Sequence, residues 1–200
     1  MITTIDKKTA LVLIDLQKGI ASMPTAHPSS EVIAKAAELV KAFREKELPI
    51  VYVNVNPVGS KWTQVRADQP SKMPKDPEAV KQTIASMTAN GFFDLVPEID
   101  ARETDVHITK HTWSAFFKTD IHQKLQELEV TGIVLAGIAT SIGVEGTARD
   151  ANMNGYNLTF ASDAMTDLHA SAHEHSLSLI FPRIGEVGTT EEIITKLNEI

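Results

Sequence analysis

The chain has 200 residues, 42% hydrophobic and 22% charged, with a formal net charge of -7 and no cysteine. These figures suit one compact α/β domain and exclude a disordered or fibrous chain. The missing thiol excludes disulfides, thiolate metal sites and a cysteine nucleophile.

Lys and Arg number 12 in the first hundred residues and 7 in the second, against 12 and 14 Asp and Glu. No basic stripe runs along the chain, so nucleic acid is not an expected partner. The apolar runs fall far short of the roughly 20 residues of a membrane helix. The opening MITTIDKK lacks a basic-then-apolar signal pattern, so a cytoplasmic location away from any membrane is expected.

The run ALVLI at 10–14 is continuously apolar and ends in Asp15, the pattern of a strand buried on both faces. Over 30–46, Val32, Ile33, Ala36, Leu39, Val40 and Phe43 form a helical stripe with charges opposite. Pro49 ends it, and 50–55 reads as a second strand. Pro57, Pro70, Pro74, Pro77, Gly59 and Gly91 break up 56–104, where one helix is expected near 78–88. The spacing then predicts a strand over 106–109, a helix over 119–128, a strand over 133–136 and a helix over 142–154, with Gly155 as its left-handed cap. A strand over 158–161 follows. Two capping boxes, Ser171-x-x-Glu174 and Thr189-x-x-Glu192, each open a helix, with a short strand near 186–187 between them. Such alternation implies βαβ crossovers. The expected fold is a three-layer αβα sandwich of Rossmann-like type, one domain over 1–200 around a mainly parallel sheet of roughly six strands.

In an open parallel sheet, ligands bind beyond the carboxyl ends of the strands. Three positions qualify: Asp15 after the first strand, Lys110 after the third, and GIATSIG at 137–143 between the fourth and a helix. Burial raises a carboxyl pKa and a nearby ammonium lowers it, so an Asp15–Lys110 pair would set the proton affinity of the site. The same residues equally suit a strand-end ion pair or a helix cap. At the turn, N–H groups of a helix start attract developing negative charge. Gly143 and Gly146 admit a close approach, by a ligand or simply by packed backbone.

Asp15 in LVLIDLQ, Lys110 in ITKHTWSAFF, AGIATSIGVEGTARDA at 136–151, SDAMTDL at 162–168 and the FPRIGEV tail together resemble the isochorismatase-like hydrolases. The resemblance covers nearly the whole chain and is weakest across 56–104. It implies a homo-oligomer, dimer or tetramer, acting on a small-molecule substrate without a cofactor. Most members use an Asp–Lys–Cys triad on amides such as nicotinamide or carbamoyl compounds. Asp15 and Lys110 match the first two members, and Gly143 stands where the cysteine would be. The true isochorismatases share that glycine; in them the Asp protonates the methylene carbon of a vinyl ether, and water completes the release of pyruvate. By this resemblance Asp15, Lys110 and Gly143 form the catalytic group. Gln17, Gln64, Arg66, Trp113, Phe116, Ile138, Ala139, Thr140 and Ser141 would contact substrate, with Arg66 as a carboxylate clamp.

Several of these residues have plainer readings. Trp113, Phe116 and Phe117 equally suit a core or a subunit interface. Ser141 reads as a turn or cap residue, since no His is placed as its base. The histidines lack HExxH or facial-triad spacing, and VNVNPVG stands where metal-dependent members carry Asp-x-His, so no metal is expected. His173 and His175 read as surface or packing residues. Two alternatives stand beside vinyl-ether hydrolysis: amide hydrolysis by a non-cysteine route, and a binding protein that kept the scaffold without the chemistry.

Overall fold

Strand β1 (Thr9–Ile14) is buried along its whole length. Its two-residue period sends Leu11 and Leu13 into one core and Ala10, Val12 and Ile14 into another on the opposite face. The computed structural model describes residues 2–61 and 73–200. In it β1 is joined by β2 (Ile50–Val55), β3 (Val106–Lys110), β4 (Gly132–Ile138), β5 (Asn157–Thr166) and β6 (Glu186–Gly188). All five pairings are parallel and the strand order is β3-β2-β1-β4-β5-β6.

Helices cover both faces, the three-layer α/β arrangement expected. On the Leu11 side lies α2 (Ser29–Glu45), burying Val32, Ala36, Leu39, Val40 and Phe43, with α7 (Thr190–Leu197) beside it through Ile193 and Leu197. On the Val12 side, α4 (Ile121–Glu127) contributes Ile121 and Leu125, and α5 (Glu145–Met153) contributes Ala148 and Ala151. The small residues of α5 let it lie close to the sheet. The short α1 (Lys18–Ala21) follows β1, and α6 (Ala170–His175) follows β5. Among the described residues, no helix is long and apolar enough to cross a membrane.

The connection after β2 contains α3 (Pro77–Ala89), capped by Asp76, whose side chain accepts from the amides of Glu78 and Ala79. The chain then returns to the centre: Leu95 pairs antiparallel with Gln17, and the Lys18 amide donates to the Asp94 carbonyl at 2.8 Å.

Three expectations need correction. Strand β5 continues to Thr166 rather than stopping at 161, because a register shift between Leu135 and Gly137 lets Met165 and Thr166 pair again with β4. The helix expected over 142–154 begins as a wide turn over Thr140–Val144 and becomes α-helical only at Glu145. The Thr189–Glu192 capping box forms as expected, but Ser171 lies inside α6, whose N-cap is His169 with no side-chain cap.

Candidate active site

Strands β1 and β4 are neighbours at the centre of the sheet, and the chain proceeds outward from them in opposite directions. A crevice forms where such a reversal occurs. Asp15, Lys110 and the 138–143 turn all reach it. Asp15 leaves β1 with φ 54°, a left-handed conformation that a short polar residue tolerates better than a bulky one. Its amide stays anchored to the Val53 carbonyl at 2.8 Å. Lys110 closes β3, and its carbonyl accepts from the Asn56 amide at 2.9 Å.

The Lys110 ammonium donates to Asp15 Oδ2 at 2.8 Å and to the Trp113 carbonyl at 2.7 Å. Both side chains are buried, Lys110 at 1% exposure and Asp15 at 5%. Asp15 Oδ1 is buried with no hydrogen-bond partner. Burial drives the Asp15 pKa up to about 6, outweighing the charge and hydrogen bond of Lys110, which act to lower it. The proton affinity of the site is therefore set by desolvation. This is the pattern of a carboxyl group that can hold a proton near neutral pH.

Gly143 lies against this pair. A Cβ there would fall 2.8 Å from Ile14 Cγ2 and 3.0 Å from both Asp15 Oδ2 and Lys110 Nζ. The Ile138–Ala139 peptide just before the turn is cis.

A cavity of about 210 Å³ opens over the group, with Asp15, Lys110, Gly143, Ile138, Ala139 and Trp113 in its wall. Trp113 is 58% exposed, so it borders the mouth and is not a core residue. Further wall residues were not singled out as site candidates: Ile20, Met23, Val55, Pro57, Thr112 and Ile142. Leu168, the last residue of the SDAMTDL segment, joins them. A larger cleft of about 340 Å³ lies at the amino ends of the strands, around Thr9, Gly132 and Asn157, remote from this chemistry.

Other candidates lie elsewhere. Gln17 is fully buried, its amide donating to the Val55 carbonyl at 3.2 Å and its oxygen accepting from the Val55 amide at 2.7 Å. It ties α1 to β2 behind the cavity and does not line it. Thr140 is buried with its hydroxyl on His173 Nδ1 at 2.8 Å. Ser141 donates from both its amide and its hydroxyl to Asp167 Oδ2, at 2.7 and 2.8 Å. Phe116 packs against His122 and Tyr156 in the core on the Val12 side. Gln64 and Arg66 lie outside the described residues. His175 is exposed and His173 is buried.

The fold is of the α/β class, with a buried carboxyl at its switch point beside a cavity of ligand size, where such sheets bind small molecules. The chain belongs to the isochorismatase family of hydrolases: the Isochorismatase domain model matches residues 9–192. It is similar to the uncharacterized isochorismatase family protein YwoC of Bacillus subtilis (strain 168), at 39% identity over 96% of this chain and 95% of that protein. The similarity to the uncharacterized family protein YecD of Escherichia coli O157:H7 is 37% identity, over 96% and 97% of the two chains. An isochorismatase family protein from Burkholderia thailandensis superposes with a TM-score of 0.85 at 37% identity, covering 99% of this chain and 100% of that one. More distant relatives include nicotinamidase 3 of Arabidopsis thaliana, at 24% identity over 86% and 79%, and maleamate amidohydrolase of Pseudomonas putida, at 25% over 97% and 89%.

Proposed function

We infer that this chain hydrolyses the vinyl ether of isochorismate or of a similar small carboxylated substrate, with Asp15 as the general acid and no covalent intermediate. The observation that carries this reading is the crowding at Gly143. An atom added there meets Ile14 Cγ2 at 2.8 Å and the Asp15–Lys110 pair at 3.0 Å, so the pair closes over a position that carries no nucleophile. The carboxyl beside it, with a pKa of about 6, is instead equipped to deliver a proton.

The chemistry balances with water alone. Lys110 holds Oδ2, so the acidic proton resides on Oδ1. Transfer of that proton to the terminal methylene carbon of the enol ether makes a methyl group and leaves an oxocarbenium ion. Water adds to the cationic carbon and returns a proton to Asp15. The resulting hemiketal passes its hydroxyl proton to the ring oxygen as that C–O bond breaks, giving pyruvate and the ring alcohol. Ionisation of Asp15 beside Lys110 stabilises the cationic intermediate, and the apolar wall formed by Ile20, Ile138, Ile142 and Leu168 limits competing solvent.

An open cavity over Asp15 supports an enzyme in preference to a binding protein. Amide hydrolysis is favoured by one observation, the nicotinamidase and amidohydrolase names of relatives at 24% and 25% identity. Ser141, however, is committed to Asp167 and lies outside the cavity wall, so it makes a poor substitute nucleophile.

The test is pyruvate release from isochorismate, with Asp15→Asn alongside. The wild type is expected to release pyruvate and the variant to lose about 10²–10⁴-fold in kcat. No release by the wild type, or full activity in the variant, overturns the reading. Ammonia from nicotinamide or carbamoyl substrates would install amide hydrolysis in its place.

A further inference from the structure

At the start of the turn that carries Gly143, the amides of Ile142 and Val144 both donate to the Ala139 carbonyl, at 3.1 and 3.2 Å. Two side chains from the segment after β5 hold it from the side. Asp167, 2% exposed, takes the amide and hydroxyl of Ser141 on one carboxylate oxygen, and its other oxygen accepts from the His169 amide at 3.3 Å. His173, 4% exposed, hydrogen-bonds the Thr140 hydroxyl at 2.8 Å, and its ring packs against His27 with centroids 4.8 Å apart. The segment is tied in turn to the loop after α1. The Ala26 amide donates to the Asp167 carbonyl at 2.8 Å, and the His27 amide donates to Thr166 Oγ1 at 3.1 Å.

We propose that His173 and Asp167 are positioning residues: by holding Thr140 and Ser141 they fix Gly143 against the Asp15–Lys110 pair. Neither touches the cavity; both act through the turn. The turn backbone is part of what keeps water from Asp15, because it lies so near that a Cβ on Gly143 would fall 3.0 Å from Oδ2. A small displacement of the turn hydrates the carboxyl and removes the desolvation that raises its proton affinity. Burial lowers the His173 pKa from its ordinary value, reinforced by the charge of His27 and opposed by Glu174 and Asp167. The ring is therefore neutral near pH 7, and no buried charge is needed for the hydrogen bond to Thr140.

The proposal rests on the reading of Asp15 as the acid, but its test separates the two. His173→Leu removes the hydrogen bond, while His173→Asn keeps a hydrogen-bonding atom near the place of Nδ1. Carbon-13 NMR of labelled aspartate, recorded on the full chain without substrate, follows the Asp15 titration. In His173→Leu the Asp15 midpoint is expected to fall by about one pH unit or more toward its ordinary value, and in His173→Asn to stay near the wild type. Kinetically, the Leu variant loses about tenfold or more in kcat with KM within about threefold, and the Asn variant recovers most of the loss. If His173→Leu does not fold, Thr140→Val cuts the same bond from the other side with little change of shape. An Asp15 midpoint unchanged in a folded variant lacking this bond overturns the proposal. A chain that shows the midpoint shift yet never releases pyruvate supports the positioning role and overturns only the assigned substrate chemistry.

Discussion

Two aspartates of this chain form ion pairs at the same distance and respond in opposite ways. Asp15 meets Lys110 at 2.8 Å, and its pKa rises to about 6; Asp105 meets Arg44 at 2.8 Å, and its pKa falls below the ordinary carboxylate value. Burial pushes both upward. At Asp105 it is outweighed, because both Arg44 terminal nitrogens donate to it, at 3.0 and 2.8 Å, and the Arg102 amide adds a third bond at 2.7 Å. At Asp15 one ammonium serves one oxygen and the other oxygen has no partner. An ion pair thus says little about its own protonation; the number of hydrogen bonds and the loss of water decide it. The carboxylate with both oxygens bonded holds α2 to the start of β3, and the one with a bare oxygen is the one placed at the switch point.

Removing each aspartate's function separates chemistry from architecture. Asp15→Asn, the largest effect expected, is the kcat loss given above. Gly143→Ala comes next. Its added carbon meets Asp15 Oδ2, Lys110 Nζ and Ile14, so the pair must part or the turn must shift. Overpacking of this kind costs about 1–3 kcal/mol in stability. Because it strikes the acid directly, kcat should fall by about tenfold or more. Denaturant unfolding together with pyruvate release measures both, and Gly143→Cys should gain no amidase activity. A normal kcat in Gly143→Ala would break the claim that this contact matters.

The other pair predicts the reverse. Arg44→Met leaves Asp105 with one of its three bonds and should cost about 1.5–3 kcal/mol. In a chain of this length that lowers Tm by about 2–4 °C per kcal/mol. Lys110 lies five positions beyond Asp105, roughly 16 Å along β3, so kcat should stay within about twofold. A large loss of turnover in Arg44→Met would show that the two pairs are coupled, contrary to the comparison.

Much of this was legible in the sequence, for identifiable reasons. A strand buried on both faces leaves a continuous apolar run, so the one ending at Asp15 announced itself, as did the stripe of α2. Ligands bind at the carboxyl ends of parallel strands, so position alone singled out Asp15, Lys110 and the 137–143 turn, and the family resemblance grouped Asp15, Lys110 and Gly143. What stayed hidden depends on contacts across long separations. The crowding at Gly143 comes from Asp15 and Lys110, 128 and 33 residues earlier in the chain. Gln17 follows the motif aspartate by two residues, yet its amide satisfies the backbone of β2, a demand that no local pattern displays. The polar pair Ser162–Asp163 obscured the continuation of β5, which resumes only because β4 shifts register beside it. Asp167 lay within the recognised SDAMTDL segment and Ser141 within the turn, but the link between them exists only in three dimensions.

The smallest predicted effect tests the comparison through pH. Asp15 keeps its proton in the native state up to about pH 6, whereas the unfolded chain releases it near 3.8. Between those values the native state binds more protons, so this group's contribution is full below pH 3.8 and is lost as pH rises through about 6. Asp105 has the opposite sign. Its native pKa lies below 3.8, so its contribution is present above that value and is lost as pH falls through the native pKa. One proton changes the slope by at most about 1.4 kcal/mol per pH unit, so the two arms are modest but separable. Urea unfolding at closely spaced pH values is expected to show Asp15→Asn lacking the decline between pH 4 and about 6, and Arg44→Met lacking part of the acid-side rise. If Asp15→Asn leaves the decline intact, the half-satisfied carboxyl is not holding its proton, and the contrast between the two pairs reduces to their hydrogen-bond counts.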